Sequence, residues 1–295
     1  MHFNISSLHR LIVTLTFGIS AMATAADTAR VISVDGITTE IIFALGAGDQ
    51  LIARDSGSTY PEAATKLPDI GMGHQINPES ILKMKPTLII GRDRPMSKPG
   101  FQILEAAGAK TLRLSGDTGV DAAKENIRTL AKEFGKVEEG EKLIASIEAD
   151  LAQVKKKLDA LKDEDAPKVM VVYVRPNATM LMGDDANATA LAHLAGATSA
   201  FPGMMGNKPL NAEAVIGAKP DVVLCYAQGL ESVGGIDTLL KQPGIAGTPA
   251  GNQRRVVALD DLLIGGFGPR TGKAVLELFH ALYETEGEYI PAREK

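Results

Sequence analysis

Two segments in different halves of this chain repeat one another. Residues 77–90 read Asn-Pro-Glu-Ser-Ile-Leu-Lys-Met-Lys-Pro-Thr-Leu-Ile-Ile, and residues 211–224 read Asn-Ala-Glu-Ala-Val-Ile-Gly-Ala-Lys-Pro-Asp-Val-Val-Leu. In each copy the Asn is a good helix cap, Lys-Pro ends a short helix, and an apolar strand follows. Four of the fourteen positions are identical and most apolar positions coincide. This repetition predicts two related lobes.

Strand-like and helix-like segments alternate through both halves of the chain. The expected strands are 30–34, 87–90, 111–114, 169–174, 222–226 and 256–259, and the expected helices include 38–45, 101–107 and 270–284. Such alternation is typical of α/β proteins. The fold class that we predict is therefore α/β, with two Rossmann-like lobes and mostly parallel sheets.

One long helical stretch lies between the two halves. Apolar residues recur every three or four positions at Leu143, Ile147, Leu151, Val154, Leu158 and Leu161, which is one helix face. No Pro interrupts Glu138 to Lys162, so we expect a helix about 40 Å long that permits little opening and closing. The expected organisation is a signal peptide at 1–25, an N-terminal lobe at 26–137, the interlobe helix at 138–165 and a C-terminal lobe at 166–295.

The N-terminus has the features of an export signal. Residues 11–21 form an apolar run, and Ala23-Thr24-Ala25 supplies a small-x-small cleavage motif. The run is shorter than the ~20 residues that span a bilayer, so we expect cleavage near Ala25 rather than a membrane anchor. No Cys lies near this position, which predicts a periplasmic protein without a lipid anchor.

Charge and cysteine content exclude several classes of function. The net charge is −5 and no basic cluster occurs, which argues against nucleic acid as a partner. The single Cys, Cys225, lies in an apolar strand-like segment. We interpret it as an inert core thiol, because reactive thiols need exposure and positive surroundings.

Motifs for catalysis are also missing from the sequence. Residues 268–273 resemble a phosphate-binding loop, but Phe267 stands where the motif needs Gly, and Ala274 where it needs Ser or Thr. Neither G-x-S-x-G nor H-E-x-x-H occurs. We therefore expect no enzymatic activity. Too few His remain after the signal segment for a binding protein of free metal ions.

Three stretches together resemble a known family. They are Ser58-Thr-Tyr-Pro-Glu-Ala-Ala-Thr-Lys-Leu-Pro-Asp-Ile-Gly71, the two repeated segments, and Leu263-Ile-Gly-Gly-Phe-Gly-Pro-Arg270. They resemble ABC-transporter substrate-binding proteins for haem, siderophores and cobalamin, and within that superfamily the periplasmic haem-binding proteins. The resemblance implies a monomer that carries haem as a transported ligand to an inner-membrane ABC permease. The alternative is a ferric siderophore or cobalamin as ligand.

The resemblance also implies a role for one acidic residue in each repeated segment. In this superfamily a Glu at the tip of each lobe docks on arginines of the permease, and these positions are Glu79 and Glu213 here. A matched pair of charges suits a symmetric partner. The alternative is that both are first-turn helix carboxylates, which contribute a few tenths of a kcal/mol. The two roles are compatible.

The expected iron ligand departs from the family pattern. Haem-binding relatives commonly have an axial Tyr after the Ile-Gly that is Ile70-Gly71 here, with a basic residue two positions later. This chain has Met72 and His74 at those positions. We expect His74 as the leading iron ligand and Met72 as the second, since imidazole and thioether both bind haem iron. The alternatives are an ordinary surface or core His and a space-filling Met.

Other expected ligand contacts come from both halves. Arg92 and Arg94 follow an apolar strand and suit haem propionates, although an ordinary charged loop is equally compatible. The remaining expected set is Met180 and Met182 in second-half loops, Tyr60 in a largely structural turn, and Arg270 at the end of the 263–270 stretch. The methionines suit one face of a flat macrocycle, or else fill core space. His193 and His280 are interpreted as packing or surface residues.

Overall fold

The computed structural model describes residues 29–161 and 166–291. The proposed signal segment lies outside these residues. The first lobe comprises β1 (Val31–Ser33), α1 (Gly36–Ala44), β2 (Leu51–Arg54), α2 (Glu62–Thr65), α3 (Pro78–Lys83), β3 (Leu88–Arg92), α4 (Lys98–Ala106), β4 (Thr111–Leu114) and α5 (Val120–Glu133). None of the helices in the described ranges is long and apolar enough to cross a membrane.

The sheet of the first lobe is entirely parallel. Its strand order is β2-β1-β3-β4, and every residue of β3 is buried. Ile90 packs with Ile41 on one face, whereas Ile89 packs with Phe101 on the other. A strand with apolar side chains on both faces needs helices on both sides of the sheet. The predicted fold class is confirmed for this lobe.

The second lobe contains a mixed sheet. Its elements are β5 (Lys168–Arg175), β6 (Ala178–Leu181), α7 (Asn187–Leu194), β7 (Thr198–Ser199), β8 (Lys208–Pro209), α8 (Ala212–Ala218), β9 (Val222–Tyr226), α9 (Ala227–Ser232), α10 (Ile236–Leu240), α11 (Pro249–Asn252), β10 (Val256–Leu259), α12 (Asp261–Ile264) and α13 (Thr271–Phe279). Strands β10, β9 and β5 are parallel, β7 pairs with β5, and β6 and β8 add an antiparallel edge. Met180 lies within β6, so the expectation that it occupies a loop is wrong.

A single long helix, α6, runs from Val137 to Leu158 between the lobes. It packs against α5 of the first lobe and α13 of the second. Ile144, Ile147 and Val154 are buried on its apolar face. The predicted stripe is too long at its C-terminal end, because Leu161 lies beyond the helix and is exposed.

The two repeated segments have the same local structure. The Asn77 side chain accepts a hydrogen bond from the Ser80 backbone N–H at 3.2 Å, and Asn211 accepts one from Ala214 at 2.9 Å. Each short helix is followed by a lysine with a φ of 50°, Lys85 and Lys219. The predicted repeat is confirmed, down to an uncommon left-handed backbone shared by both copies.

The single cysteine is a core residue. Cys225 lies in β9 and is fully buried, as its apolar neighbours predicted. Burial raises the pKa of its thiol to about 12. The thiolate that reacts with oxidants and metals is therefore not formed at neutral pH.

Candidate ligand-binding site

A cleft lies between the lobes, at the carboxyl ends of the parallel strands. Its volume is about 710 Å³, within the roughly 300–1,000 Å³ of small-molecule sites. The first lobe lines it after β1, β2, β3 and β4, and the second lobe contributes Asn187, Asp261, Leu262 and Gly265. This edge is where parallel α/β sheets commonly bind ligands.

An ion pair forms the floor of the cleft on the first lobe. Asp35 follows β1 and caps α1, accepting a hydrogen bond from the Thr38 backbone N–H at 3.0 Å. Arg92 Nε and Nη2 lie 2.8 and 3.0 Å from the two Asp35 carboxylate oxygens. Burial raises the pKa of Asp35, but Arg92 and Arg94 outweigh it and lower the pKa to about 2. The Arg92 guanidinium is thus held in a bidentate ion pair with Asp35.

Arg94 differs from Arg92 in having no such partner. It lines the same cleft two residues later and is partly exposed. Within residues 29–161 and 166–291 its guanidinium forms no hydrogen bond or ion pair. Burial lowers the pKa of Arg94 and the nearby Asp35 opposes this shift, but an arginine remains protonated. Arg94 therefore presents an uncommitted positive charge to the cleft.

The loop that carries Met72 is fastened to the end of β2. Ile70 donates to the Arg54 carbonyl at 3.0 Å, and Ser56 donates to the Gly71 carbonyl at 2.9 Å. A Cβ on Gly73 would lie 2.0 Å from the carbonyl oxygen of Val34, so only glycine fits there. The loop holds Met72 at the cleft with 49% of its surface exposed.

His74, the other expected iron ligand on this loop, is described only by its backbone. The backbone of His74 belongs to a short 3-10 turn, Gly73–Gln75. The His74 side chain lies outside the described part of the structure. Its assignment as the leading iron ligand therefore stays a prediction.

Arg270 and Tyr60 lie at the junction of the lobes, and neither is among the described residues that line the cleft. Arg270 Nε and Nη2 lie 2.8 and 3.0 Å from the carboxylate oxygens of Glu40 in α1. The Arg270 guanidinium carbon lies 3.7 Å from the centre of the Tyr60 ring. These contacts join the two lobes, and the expectation that Tyr60 and Arg270 also contact ligand stays a prediction.

The methionines at the cleft are not those expected from the second half of the chain. Met180 pairs with Tyr173 in the β5–β6 ladder, and Met182 packs against the second-lobe core. Neither belongs to the described cleft lining. Met96, which sequence reasoning missed, lines the cleft and is 65% exposed. Met96 could have been selected from the sequence, because it follows a buried strand and lies two residues after Arg94, which was already selected.

Two further polar residues of the cleft were also missed. Asp55 is buried after β2 and accepts hydrogen bonds from the Ser58 hydroxyl and the Gly57 N–H; burial raises its pKa. Asn187 lies opposite, at the start of α7. Its side chain donates to the Gly265 carbonyl at 2.8 Å and accepts from the Thr118 hydroxyl at 2.9 Å. Thr118 belongs to the first lobe, so Asn187 ties the lobes together at the cleft.

A tyrosine and an arginine stand at the carboxyl end of β5, on the second-lobe side. The Arg175 guanidinium carbon lies 4.0 Å from the centre of the Tyr173 ring. Arg175 Nη2 also lies 3.5 Å from a carboxylate oxygen of Asp261, which lines the cleft. Sequence reasoning missed this pair, although an aromatic residue and a cation at the end of a parallel strand were a usable signal.

The repeated glutamates are exposed in equivalent positions. Glu79 lies in the first turn of α3 and Glu213 in the first turn of α8. Glu79 forms an i,i+4 ion pair with Lys83 at 2.7 Å, an exposed contact that adds little stability. Both carboxylates are thus accessible from solvent.

Comparison with known proteins identifies the family. The sequence profile of periplasmic binding proteins matches residues 31–263. The chain belongs to this family. Its members and structural relatives are substrate-binding proteins of transport systems, and the resemblance expected from the sequence is confirmed.

Individual relatives extend over nearly the whole chain. The periplasmic heme-binding protein RhuT from Roseiflexus sp. RS-1, in apo form, is 39% identical, with 87% of this chain and 98% of RhuT covered and a TM-score of 0.81. The periplasmic heme-binding protein BhuT, in complex with two hemes, is 31% identical, with coverages of 86% and 98% and a TM-score of 0.78. An uncharacterized ABC transporter substrate-binding lipoprotein of Bacillus subtilis, YvrC, is 24% identical over 86% of this chain and 80% of its own length.

Proposed function

We propose that this protein captures haem in the interlobe cleft and delivers it to an inner-membrane ABC importer. The observation that carries the proposal is Arg94, whose uncommitted guanidinium faces a cleft of about 710 Å³ in a chain 39% identical to the heme-binding protein RhuT. Haem is a flat apolar macrocycle with carboxylates at one edge. It therefore needs apolar walls and a cation in one site.

The lining of the cleft provides both kinds of contact. Ile37, Met72 and Met96 are apolar side chains of the first lobe, and Leu262 faces them from the second. Arg94 would pair with a propionate, whereas Arg92 would keep Asp35 and the start of α1 in place. Arg92 and Arg94 therefore have different proposed roles, although the same role was expected for both from the sequence.

The iron ligand is assigned to one of three side chains. Met72 and His74 are carried by the anchored loop of the first lobe, and imidazole and thioether are established ligands of haem iron. Tyr173 is a second-lobe candidate, since it lies at the carboxyl end of β5 with the Arg175 guanidinium carbon 4.0 Å from the centre of its ring, and a tyrosine oxygen is an established ligand of haem iron. Absorption and resonance Raman spectra of Met72→Ala, His74→Ala and Tyr173→Phe with haemin would identify it, and unchanged spectra in all three variants would reject this set.

A competition experiment tests haem against the other ligands of the superfamily. The mature protein is dialysed against haemin, a ferric siderophore or cyanocobalamin at equal concentrations. The proposal requires preferential, saturable binding of haemin, and weaker binding of haemin in Arg94→Ala. Tight binding of a siderophore or of cobalamin without haemin would assign the protein to the corresponding transporter.

Delivery is proposed to use the exposed Glu79 and Glu213 as docking residues. Their equivalent positions in the two copies of the repeat support contact with a symmetric permease. The proposal also includes cleavage near Ala25, a monomeric state and no lipid anchor, although the relative YvrC is a lipoprotein. The N-terminal sequence, intact mass and sedimentation coefficient of the protein purified from periplasm would test these three points.

A further inference from the structure

Three methionines of the described chain are strongly exposed. They are Met72, Met96 and Met205, with 49%, 65% and 61% of their surfaces accessible. Met170, by contrast, is fully buried in β5. Thioether oxidation by small oxidants follows access to the sulfur, so these three are the expected first targets. Only Met72 and Met96 of the three belong to the described lining of the cleft.

The position of these two side chains gives their oxidation a consequence. The cleft floor is charged at Asp35, Arg92 and Arg94. Apolar contact with a ligand therefore comes from a small number of side chains, including the two methionines. A sulfoxide is polar and chiral where the thioether was apolar and flexible. Burying it against an apolar ligand would leave a polar oxygen without water.

We propose that Met72 and Met96 form an oxidation site whose conversion to sulfoxide lowers the affinity of the cleft for its ligand. This inference rests on the proposed function, because it requires an apolar ligand such as haem. The oxidant is a two-electron oxygen donor such as hypochlorous acid. The sulfur gains an S–O bond and loses two electrons, the O–Cl bond breaks, chloride leaves with the electron pair, and the proton goes to solvent.

The structure separates this effect from damage to the fold. Neither Met72 nor Met96 belongs to the buried cores, in which Met170 packs. Oxidation confined to the exposed methionines should therefore change ligand affinity without unfolding the protein. Methionine sulfoxide reductases reverse the reaction. Reversible oxidation of Met72 and Met96 would therefore allow redox control of ligand uptake.

The test uses the mature protein and hypochlorous acid in small molar excess. Peptide mass mapping is expected to show oxygen addition at Met72, Met96 and Met205 before Met170. Haemin affinity should fall by about tenfold or more, because one buried polar group left unpaired costs roughly that much. Treatment with both stereospecific reductases should restore it. Circular dichroism before and after treatment checks that the fold is retained.

Matched variants decide the role of the cleft. Each variant is compared with its own untreated form. Met205→Leu should lose affinity on oxidation as the wild type does, whereas Met72→Leu/Met96→Leu should show a treated-to-untreated ratio near one. The inference would be overturned if the wild type carrying both cleft sulfoxides bound haemin as tightly as the untreated wild type. It would also be overturned if oxidation lowered the haemin affinity of the double variant as much as that of the wild type. Failure of the untreated protein to bind haemin would instead reject the proposed function, and this inference with it.

Discussion

Glu40 and Arg270 form a buried ion pair across the two lobes, with Nε–Oε1 and Nη2–Oε2 distances of 2.8 and 3.0 Å. Glu40 lies in α1 of the first lobe, whereas Arg270 precedes α13 of the second. Burial raises the pKa of Glu40, and the Arg270 guanidinium opposes that shift. The lobes are thus joined at the cleft junction as well as by α6. This strengthens the expectation of little opening and closing.

Removal of Glu40 should destabilise the protein strongly. Glu40→Ala removes the bidentate partner of Arg270 and leaves Asp260 as a more distant carboxylate at 3.9 Å, so the expected loss is about 3 kcal/mol, the low end of the cost of breaking a buried pair. Urea unfolding at pH 7 measures the decrease in the free energy of unfolding. The control is Glu141→Ala, which breaks the exposed Arg128–Glu141 pair and should cost less than about 1 kcal/mol. Equal losses in the two variants would show that burial of the pair does not matter.

Asp35 should make stability depend on pH below about 4. Its pKa is 3.8 ordinarily and about 2 in the folded protein, so the folded state favours the ionised form. The contribution is fully present above the ordinary value and is lost as the pH falls towards 2. Asp35→Asn should lose about 2 kcal/mol at pH 7. The difference from wild type should shrink in urea midpoints taken at pH 5, 4 and 3; a constant difference would contradict the account.

Arg94 and Arg92 should respond differently to truncation. Arg94→Ala is expected to weaken haemin binding on the order of tenfold and to lower the urea midpoint less than Arg92→Ala does, because Arg94 lowers the pKa of Asp35 by its charge without a hydrogen bond to it. Arg92→Ala is expected to lower stability by a few kcal/mol, because it leaves Asp35 without its partner. Binding titrations and urea curves on both variants distinguish these outcomes. A larger loss of stability in Arg94→Ala than in Arg92→Ala, with unchanged haemin affinity, would reverse the two assignments.

The close approach of Gly73 to Val34 should make the cleft loop intolerant of a side chain. Gly73→Ala places a Cβ where the Val34 carbonyl lies, so the loop must shift and Met72 with it. We expect a loss of about 1–3 kcal/mol and weaker haemin binding. Gly217 is the control, since nothing lies within 4 Å of its Cβ position in α8. Gly217→Ala should be neutral or stabilise by about 0.5–1 kcal/mol, and equal effects would contradict the geometry.

The docking glutamates should affect transport without affecting binding. Glu79→Ala/Glu213→Ala is expected to bind haemin as wild type does and to lose uptake through the cognate permease. Glu138→Ala is the matched control, because Glu138 is an exposed glutamate in the first turn of α6. Reconstituted transport with each protein gives the comparison. Normal uptake by the double variant would remove the proposed role.

Local patterns in the sequence were sufficient for the repeat and for most of the parallel strands, although β2 and α5 were not predicted. Asn77 and Asn211 cap their helices as predicted, because capping depends on a few neighbouring residues. The predicted parallel strands followed from short apolar runs. The interlobe helix was predicted to include Leu161 but ends at Leu158. An apolar pattern does not show where a helix loses its packing partner, so helix ends are predicted less well than helix existence.

The site was less predictable because its contacts join distant positions. Asp35 and Arg92 are 57 residues apart, and Glu40 and Arg270 are 230 apart. Nothing near Arg270 in the sequence shows that α1 holds Glu40, so the ion pair between the lobes was not predicted. Met180 was placed in a loop because the antiparallel edge of the second sheet was not anticipated. Met72 was selected from the family resemblance, at the position where haem-binding relatives have an axial Tyr, and Arg94 was selected because it follows a buried strand.

Titration of the mature protein with haemin, followed by absorption in the Soret region, tests the central claim most directly. The account predicts a saturable Soret shift with submicromolar affinity, weakened in Arg94→Ala and retained in Glu79→Ala/Glu213→Ala. Absence of a saturable shift with the wild-type protein, under conditions where it is folded, would contradict haem as the ligand of this cleft.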